Sequence, residues 1–422
     1  MRHEVEVKID EIAARGDGVG RAGDQRLYVP FTAAGDRIVA RVGETQGDGF
    51  AAHLTKLVEA GPGRAQPPCR HFGECGGCAL QHLSDETYLA WKQDLVRSAL
   101  KRRNLPVERI EPIRPAARAT RRRADFTALR RDEDMLFGFN ARGSHRVIDL
   151  KECHVVTPEI AALIAPLRTC LTALLRPGEK VEVVVNMTDN GLDLLLVTTV
   201  SLGQGGRKRF SVLAEQHDIA RVSRRHPAES RAEALVERRP VRVSFGGVPV
   251  EVPPGAFLQA TKAGETALTE VVMAGVGGAK RVADLFAGSG TFTFPLAKGG
   301  AAVASFDDNA RLVQAVEQTA KAARLNRVTT KVRDLMTKPL VSLELGGYDA
   351  VVFDPPRAGA QAQATALAKS RVPTVLAVSC EPATFARDAR ILVDGGYKLV
   401  RVLPVDQFLW SPHVELAALF KR

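Results

Sequence analysis

From about residue 248 to the end, short apolar runs alternate with stretches of helical periodicity. The runs fall at residues 281–286, 302–307, 349–354, 374–378, 399–403 and 414–420, with helical stretches such as 262–274 and 310–325 between them. Strands buried on both faces read as continuous apolar runs, and regular strand–helix alternation predicts a doubly wound parallel sheet. The last run is expected to be an antiparallel strand at the sheet's edge. Residues 1–58 show a different pattern. Val5, Val7 and Ile9 alternate with charges, further short apolar segments follow at 27–29, 38–40 and 52–54, and glycine turns punctuate them. Short strands at regular spacing predict a small OB-like β-barrel. Residues 60–68 are rich in Gly and Pro and read as a linker.

Between these two regions the pattern is mixed. Residues 85–104 place Tyr88, Leu89, Trp91, Leu95, Val96, Ala99 and Leu100 on one helical face. Two apolar runs, 181–185 and 192–197, flank Asp189-Asn190-Gly191, a hairpin signal. The chain therefore divides into a barrel at 1–58, a central α+β unit at 59–245 and an α/β unit at 246–422. The 85–104 helix is a candidate to pack on the last of these.

Charge narrows the choice of partner. Lys and Arg number 59 against 48 acidic residues, a net charge of +11. Such an excess suits a polyanion, most simply nucleic acid. Four arginines, Arg118, Arg121, Arg122 and Arg123, crowd the entrance to a strand expected at 124–129, and they read as a phosphate-facing edge. The sequence shows no signal peptide and no run long enough to span a bilayer, so a soluble cytoplasmic protein is expected, with no membrane partner.

Six cysteines in a cytoplasmic chain do not predict a disulfide framework, and their spacing matters more than their number. Cys69, Cys75 and Cys78 follow a C-x5-C-x2-C pattern on a Gly-rich stretch, and Cys153 is the best fourth ligand. Four thiolates suit zinc or an iron–sulfur cluster, and spacing alone leaves the two open. Cys170 lies in an apolar helical stretch and reads as core.

Cys380, in Ser379-Cys380-Glu381-Pro382, stands at the carboxyl end of a buried-strand run, where an open α/β sheet binds ligands. Further along, Glu415 lies in an otherwise apolar run and must be paired, hydrogen-bonded or functional. Asp284-Leu285-Phe286-Ala287-Gly288-Ser289-Gly290-Thr291 joins a strand to a helix and lets backbone approach a ligand. Asp307, ending the second strand, suits ribose hydroxyls, and Asp334, after the third, suits an adenine amino group. The glycine pattern lacks the third glycine of a pyrophosphate binder, and the fourth strand ends Asp354-Pro355-Pro356. Both features favour S-adenosylmethionine over NAD. A thiol and a carboxylate base are what methylation at C5 of uracil requires: thiolate addition at C6 creates the nucleophile at C5, and a base then removes the C5 proton.

Taken in order, these motifs resemble the RNA uracil-5-methyltransferases that carry a TRAM barrel and an iron–sulfur cluster, and the match spans nearly the whole chain. The resemblance implies a [4Fe–4S] cluster on Cys69, Cys75, Cys78 and Cys153. It implies a class I methyltransferase domain of Rossmann type, with S-adenosylmethionine near Gln259, Phe286, Thr291, Asp307, Asp334 and Asp354. Ser379–Thr384 is similar to the nucleophile motif, with Cys380 as nucleophile, and His413-Val414-Glu415 to the proton-abstracting segment, with Glu415 as base. Gln259 and Asp354 are implied to orient the uracil. Ribosomal 23S RNA is the favoured substrate and transfer RNA the alternative, with a monomer expected; an RNA-binding or chaperone protein is the non-enzymatic rival. Leu409-Trp410-Ser411-Pro412 stands where the family more usually has Phe-Pro-x-Thr, so the loop before His413 is expected to differ in shape.

Overall fold

The computed structural model describes residues 3–422. Strands Glu4–Ile12, Gly18–Ala22, Gln25–Val29, Arg37–Gln46 and Gly49–Glu59 close into a barrel. Their alternating pattern puts Val7, Ile9, Leu27, Val29, Ile38 and Ala40 inside. The parallel pair Leu27↔Phe50 and Tyr28↔Ala51 completes the ring, which leaves no open edge. Buried Asp36 ties the barrel to the linker: its carboxylate accepts from Gly61 N (2.8 Å) and Arg64 Nη2 (2.8 Å).

The central unit is built on a six-stranded sheet, with strands Met135–Gly138, Arg123–Arg130, Lys180–Thr188, Gly191–Val197, Ile219–Arg225 and Glu233–Glu237 side by side in that order. Lys180–Thr188 and Gly191–Val197 form the hairpin expected around Asn190. Helices Ile164–Thr172 and Gly203–Gln216 pack against this sheet, and Cys170 is buried in the same core.

The third unit is a seven-stranded sheet. Its spatial order is Val328–Val332, Ala302–Asp307, Arg281–Leu285, Ala350–Phe353, Thr374–Ser379, Glu415–Lys421, Lys398–Val405. Only Glu415–Lys421 runs antiparallel to its neighbours. It is not at the edge, as the pattern had suggested, but lies between Thr374–Ser379 and Lys398–Val405. Burial explains the difference. Residues 415–420 are buried throughout, as an inner strand must be, whereas Lys398–Val405 begins with exposed Lys398 and Val400 alternating with buried positions.

That outer strand is itself covered. Glu111 N donates to Val402 O (2.8 Å), Arg114 N to Pro404 O (3.0 Å), and Asp406 N to Arg114 O (2.8 Å). Helix Asp85–Lys101 lies beside this segment and buries Val96, Ala99 and Leu100 in one core with Phe385, Ala389 and Leu392 of helix Pro382–Asp394. Ser84 caps its start by accepting from Thr87 N. A part of the chain that precedes the central sheet is thus packed onto the sheet that carries Cys380. Among the described residues no helix is long and apolar enough to cross a membrane.

Candidate active site

The carboxyl ends of the parallel strands form one rim. At its first strand, Arg281–Leu285, the chain turns through three residues in the left-handed region: Phe286 (φ 60°), Gly288 (φ 55°) and Gly290 (φ 90°). At Gly290 a Cβ would sit 2.5 Å from the Phe294 ring, so both backbone angle and space demand glycine. Asp307 ends the adjacent strand. It accepts from Gly288 N (2.8 Å) and Asn309 N (2.9 Å), while burial raises its carboxyl above the ordinary range.

Asp284 lies beneath the turn, fully buried. Thr293 Oγ1 donates to one of its oxygens (2.5 Å), and burial, with lesser repulsion from Asp354 and Asp307, pushes its carboxyl up to about 7. Its Oδ1 and the buried Ser289 Oγ have no partner among the described residues. Asp334 is exposed and holds its own loop, accepting from Met336 N (2.9 Å) and Thr337 Oγ1 (2.7 Å). Thr291 is half-buried on the turn.

At the middle of the rim a chain of side chains links two strand ends. Gln259 Nε2 donates to Asp354 Oδ2 (3.2 Å). Gln407 Nε2 donates to Gln259 Oε1 (2.6 Å) and to Glu415 Oε2 (3.0 Å). Gln259, Gln407 and Glu415 are buried. Burial raises the carboxyls of both Asp354 and Glu415, repulsion between them adds to it at Glu415, and the amide donors oppose the shift. Two such groups tend to share a proton near neutrality.

Cys380 follows directly on Ser379, the last residue of its strand. Its thiol is pushed up to about 12, by burial first and then by Glu415 and Asp354, with Arg357 working the other way. Arg357 Nη2 lies 3.0 Å from His413 Nδ1. Burial, reinforced by the guanidinium, lowers His413 to about 4, so the imidazole is neutral at physiological pH. A guanidinium only donates, which makes Nδ1 the acceptor and leaves the proton on Nε2.

The structure also changes the reading of the arginine-rich entrance. Arg122 does not face solvent. It is buried, donates to Gln259 O (2.9 Å) and is ion-paired with Glu265 at the start of helix Lys262–Val276. It therefore supports the backbone that presents Gln259 rather than a phosphate edge. Burial also holds Arg121 below its ordinary value.

Cys69, Cys75, Cys78 and Cys153 all line one cavity of about 690 Å³. Arg357, Phe408, Leu409 and residues 411–413 line the same cavity, so the cysteine-lined space reaches the loop that carries His413. Donor atoms of Cys69, Glu152 and His154 lie within 4.8 Å of one another, a grouping that the cysteine spacing alone did not indicate. Gln407 and Asp406 were also missed. Their one sequence signal is a pair of polar residues closing the apolar run Val402-Leu403-Pro404-Val405.

Residues 251–422 match the tRNA (uracil-5-)-methyltransferase family model. An uncharacterized RNA methyltransferase of Brucella suis is 44% identical over 419 residues, covering 99% of this chain and 98% of the relative. The 23S rRNA (uracil(1939)-C(5))-methyltransferase of Chromohalobacter salexigens is 34% identical, covering 99% of this chain and 89% of that protein. The crystal structure of Pyrococcus abyssi tRNA (uracil-54, C5)-methyltransferase in complex with S-adenosyl-L-homocysteine shares the fold, with a TM-score of 0.77 at 22% identity over 99% of this chain and all of that one. With full-length relatives at this identity and the family's model on its α/β unit, the chain belongs to the S-adenosylmethionine-dependent RNA uracil-5-methyltransferases.

Proposed function

We propose that the protein makes 5-methyluridine in 23S ribosomal RNA, with Cys380 as nucleophile and Glu415 as base. The observation that carries the assignment of roles is the Asp354–Gln259–Gln407–Glu415 chain beside the Cys380 thiol. The relative from Chromohalobacter supports the ribosomal target, and transfer RNA is the second choice. The protein works in the cytoplasm as a monomer.

The residues at the turn fit S-adenosylmethionine. Two buried polar atoms there, Asp284 Oδ1 and Ser289 Oγ, lack a protein partner. Asp307 would take the ribose hydroxyls, and Phe286, Thr291 and Asp334 would complete the cofactor's surroundings. S-adenosylmethionine supplies the methyl group. Gln259 and Asp354 offer the uracil an amide N–H and a carboxylate, matching an edge of carbonyl oxygen and N–H. The Cys380 thiol gives its proton to solvent, and takes one back when it leaves; its sulfur adds to C6, which places electron density at C5. After C5 is methylated, Glu415 takes the C5 proton, the C5=C6 bond re-forms, and the thiolate leaves. The proton released overall is the one from C5. Once ionised, a carboxyl raised by burial is the stronger proton acceptor.

Cys69, Cys75, Cys78 and Cys153 would hold a [4Fe–4S] cluster. Four soft donors facing one cavity support that reading. The cluster would supply structure, since the methyl transfer needs no electron. The barrel and the exposed basic residues of the central unit would hold the RNA, and the target base must leave its stack for C6 to be reached.

The test is to incubate the protein with labelled S-adenosylmethionine and, separately, 23S RNA and total transfer RNA, and to map the methylated nucleotide. We expect 5-methyluridine in 23S RNA and none with Cys380→Ala. Label in transfer RNA alone would move the target, and full activity in Cys380→Ala would remove the nucleophile.

A further inference from the structure

The loop at residues 406–414 joins the outer strand Lys398–Val405 to the inner strand that begins with Glu415. It is anchored from outside its own sheet. Asp406 is fully buried and pairs with Lys92 Nζ at 2.6 Å, itself fully buried. Tyr88 Oη donates to the other Asp406 oxygen (2.7 Å), and Lys92 also donates to Phe408 O (3.0 Å). Both residues belong to helix Asp85–Lys101.

A second anchor holds Trp410, a buried residue in the left-handed region at φ 57°. A bulky side chain rarely adopts that conformation unless its surroundings enforce it. Trp410 N donates to Tyr88 Oη (2.8 Å). Its carbonyl accepts from both Ala79 N (2.8 Å) and Leu80 N (3.1 Å), the two residues after Cys78. Arg118 lies 5.0 Å from the centre of the indole ring.

Gln407 sits between the anchors with its side chain turned inward. Both amide hydrogens are used, one on Gln259 and one on Glu415, and its Oε1 accepts from Thr261 N (3.4 Å). Among the described residues Gln407 is the one side-chain hydrogen-bond partner of Glu415. A carboxyl held by one donor takes its direction from that donor.

We infer that Gln407 is a positioning residue for the base, and that Tyr88 and Lys92 fix its place through Asp406. Helix Asp85–Lys101 thereby helps to aim a carboxylate that it does not touch. The inference rests on Glu415 acting as the base. Gln407 makes no hydrogen bond to Cys380, but it also holds Gln259, so its loss should slow the early steps as well, and the late step more.

Gln407→Met keeps the side chain's length and removes both N–H donors. Tyr88→Phe removes one hydroxyl from a ring that stays packed. The experiment is a single turnover with uridine RNA, following methyl transfer and release of the RNA from the protein in denaturing gels. Methylated RNA should accumulate as a covalent protein adduct in Gln407→Met, with release slowed about 10- to 100-fold, the range for a lost hydrogen bond to a charged group. Tyr88→Phe should do the same more weakly. The rate of adduct formation with 5-fluorouridine RNA, which reports the earlier steps, should fall clearly less than release does, because Gln407 also holds Gln259. The pH limb of release should move upward in Gln407→Met, because the lost donor favoured ionised Glu415. Unchanged release in Gln407→Met, or equal slowing of early and late steps, would overturn the positioning role. If wild type forms no adduct with 5-fluorouridine RNA, the assignment of nucleophile and base fails before Gln407 is at issue.

Discussion

Ser379 pairs with Leu416 in the antiparallel ladder, so Cys380 and Glu415 stand at the next step of the same register. Reversed strand direction makes this possible. A parallel strand would bring its last residues to this rim; the antiparallel one brings its first. Glu415 opens its strand where Cys380 has just left its own. If Glu415 acts only after methyl transfer, Glu415→Gln should still form the covalent adduct and still be methylated. Release of product should slow by about 10²–10⁴-fold, the range for loss of a general base. Denaturing gels with labelled S-adenosylmethionine would show a labelled protein–RNA band, and its absence would place Glu415 earlier in the reaction.

The same geometry sets a pH dependence. Burial raises Glu415, and the charge on Asp354 raises it further. As the proposed base, Glu415 would act as carboxylate, so the release step should be weak below its raised value and increase with pH through it. Removing the neighbouring charge in Asp354→Asn should shift that limb to lower pH, whatever happens to the maximal rate. His413 is neutral above about 4 and should contribute no limb between pH 6 and pH 9. A release-rate profile in wild type and Asp354→Asn checks both points.

The fold and the site were legible to different degrees, and particular residues show why. Fully buried strands announce themselves as apolar runs, so the sheet's strands and the position of Cys380 at a strand end could be read directly. Strand order could not: that Glu415–Lys421 lies inside the sheet depends on which neighbour covers which edge, and residues 110–114 supply a cover from far upstream. Buried polar contacts were hidden for the same reason. Arg122 sits in a basic run that looks solvated, yet Glu265, 143 residues away, draws it inward. Nothing local marks Lys92 or Gln407, because their partners are 314 and 148 residues distant.

Lys92 and Asp406 should be costly to separate. Replacing one member of a fully buried ion pair leaves the other uncompensated, a loss of about 3–5 kcal/mol. Lys92→Met should therefore lower the urea midpoint markedly. Adding Asp406→Leu should restore part of the loss, since the stranded charge goes with it. A double variant as unstable as the sum of the two singles would show that the residues do not interact in solution.

Asp284 gives a prediction for cofactor binding. Its carboxyl is pushed up to about 7 and one oxygen lacks a partner. S-adenosylmethionine carries a sulfonium cation, which favours the ionised carboxylate. Binding should tighten as pH rises through about 7, because below it the proton must first be displaced. Isothermal titration at pH 6 and pH 8 should show this difference in wild type and a smaller one in Asp284→Asn, where Asp354 still titrates near neutrality.

The cysteines are separable by the same kind of test. Cys69, Cys75, Cys78 and Cys153 face one cavity, whereas Cys170 is buried in the central core. Cys153→Ser should abolish the visible absorbance and bound iron of protein purified without oxygen, and Cys170→Ser should leave both intact. The activity effect should fall on the loop residues that line that cavity. Ala79 and Leu80, just after Cys78, hold the Trp410 carbonyl, and residues 411–413 line the same space. Loosening the cysteine segment should therefore free the 406–414 loop and slow product release. S-adenosylmethionine affinity should be unchanged, because none of the residues at the glycine turn lines the cavity. Wild-type protein without iron, or a Cys153→Ser variant that retains it, would remove the cluster from this account.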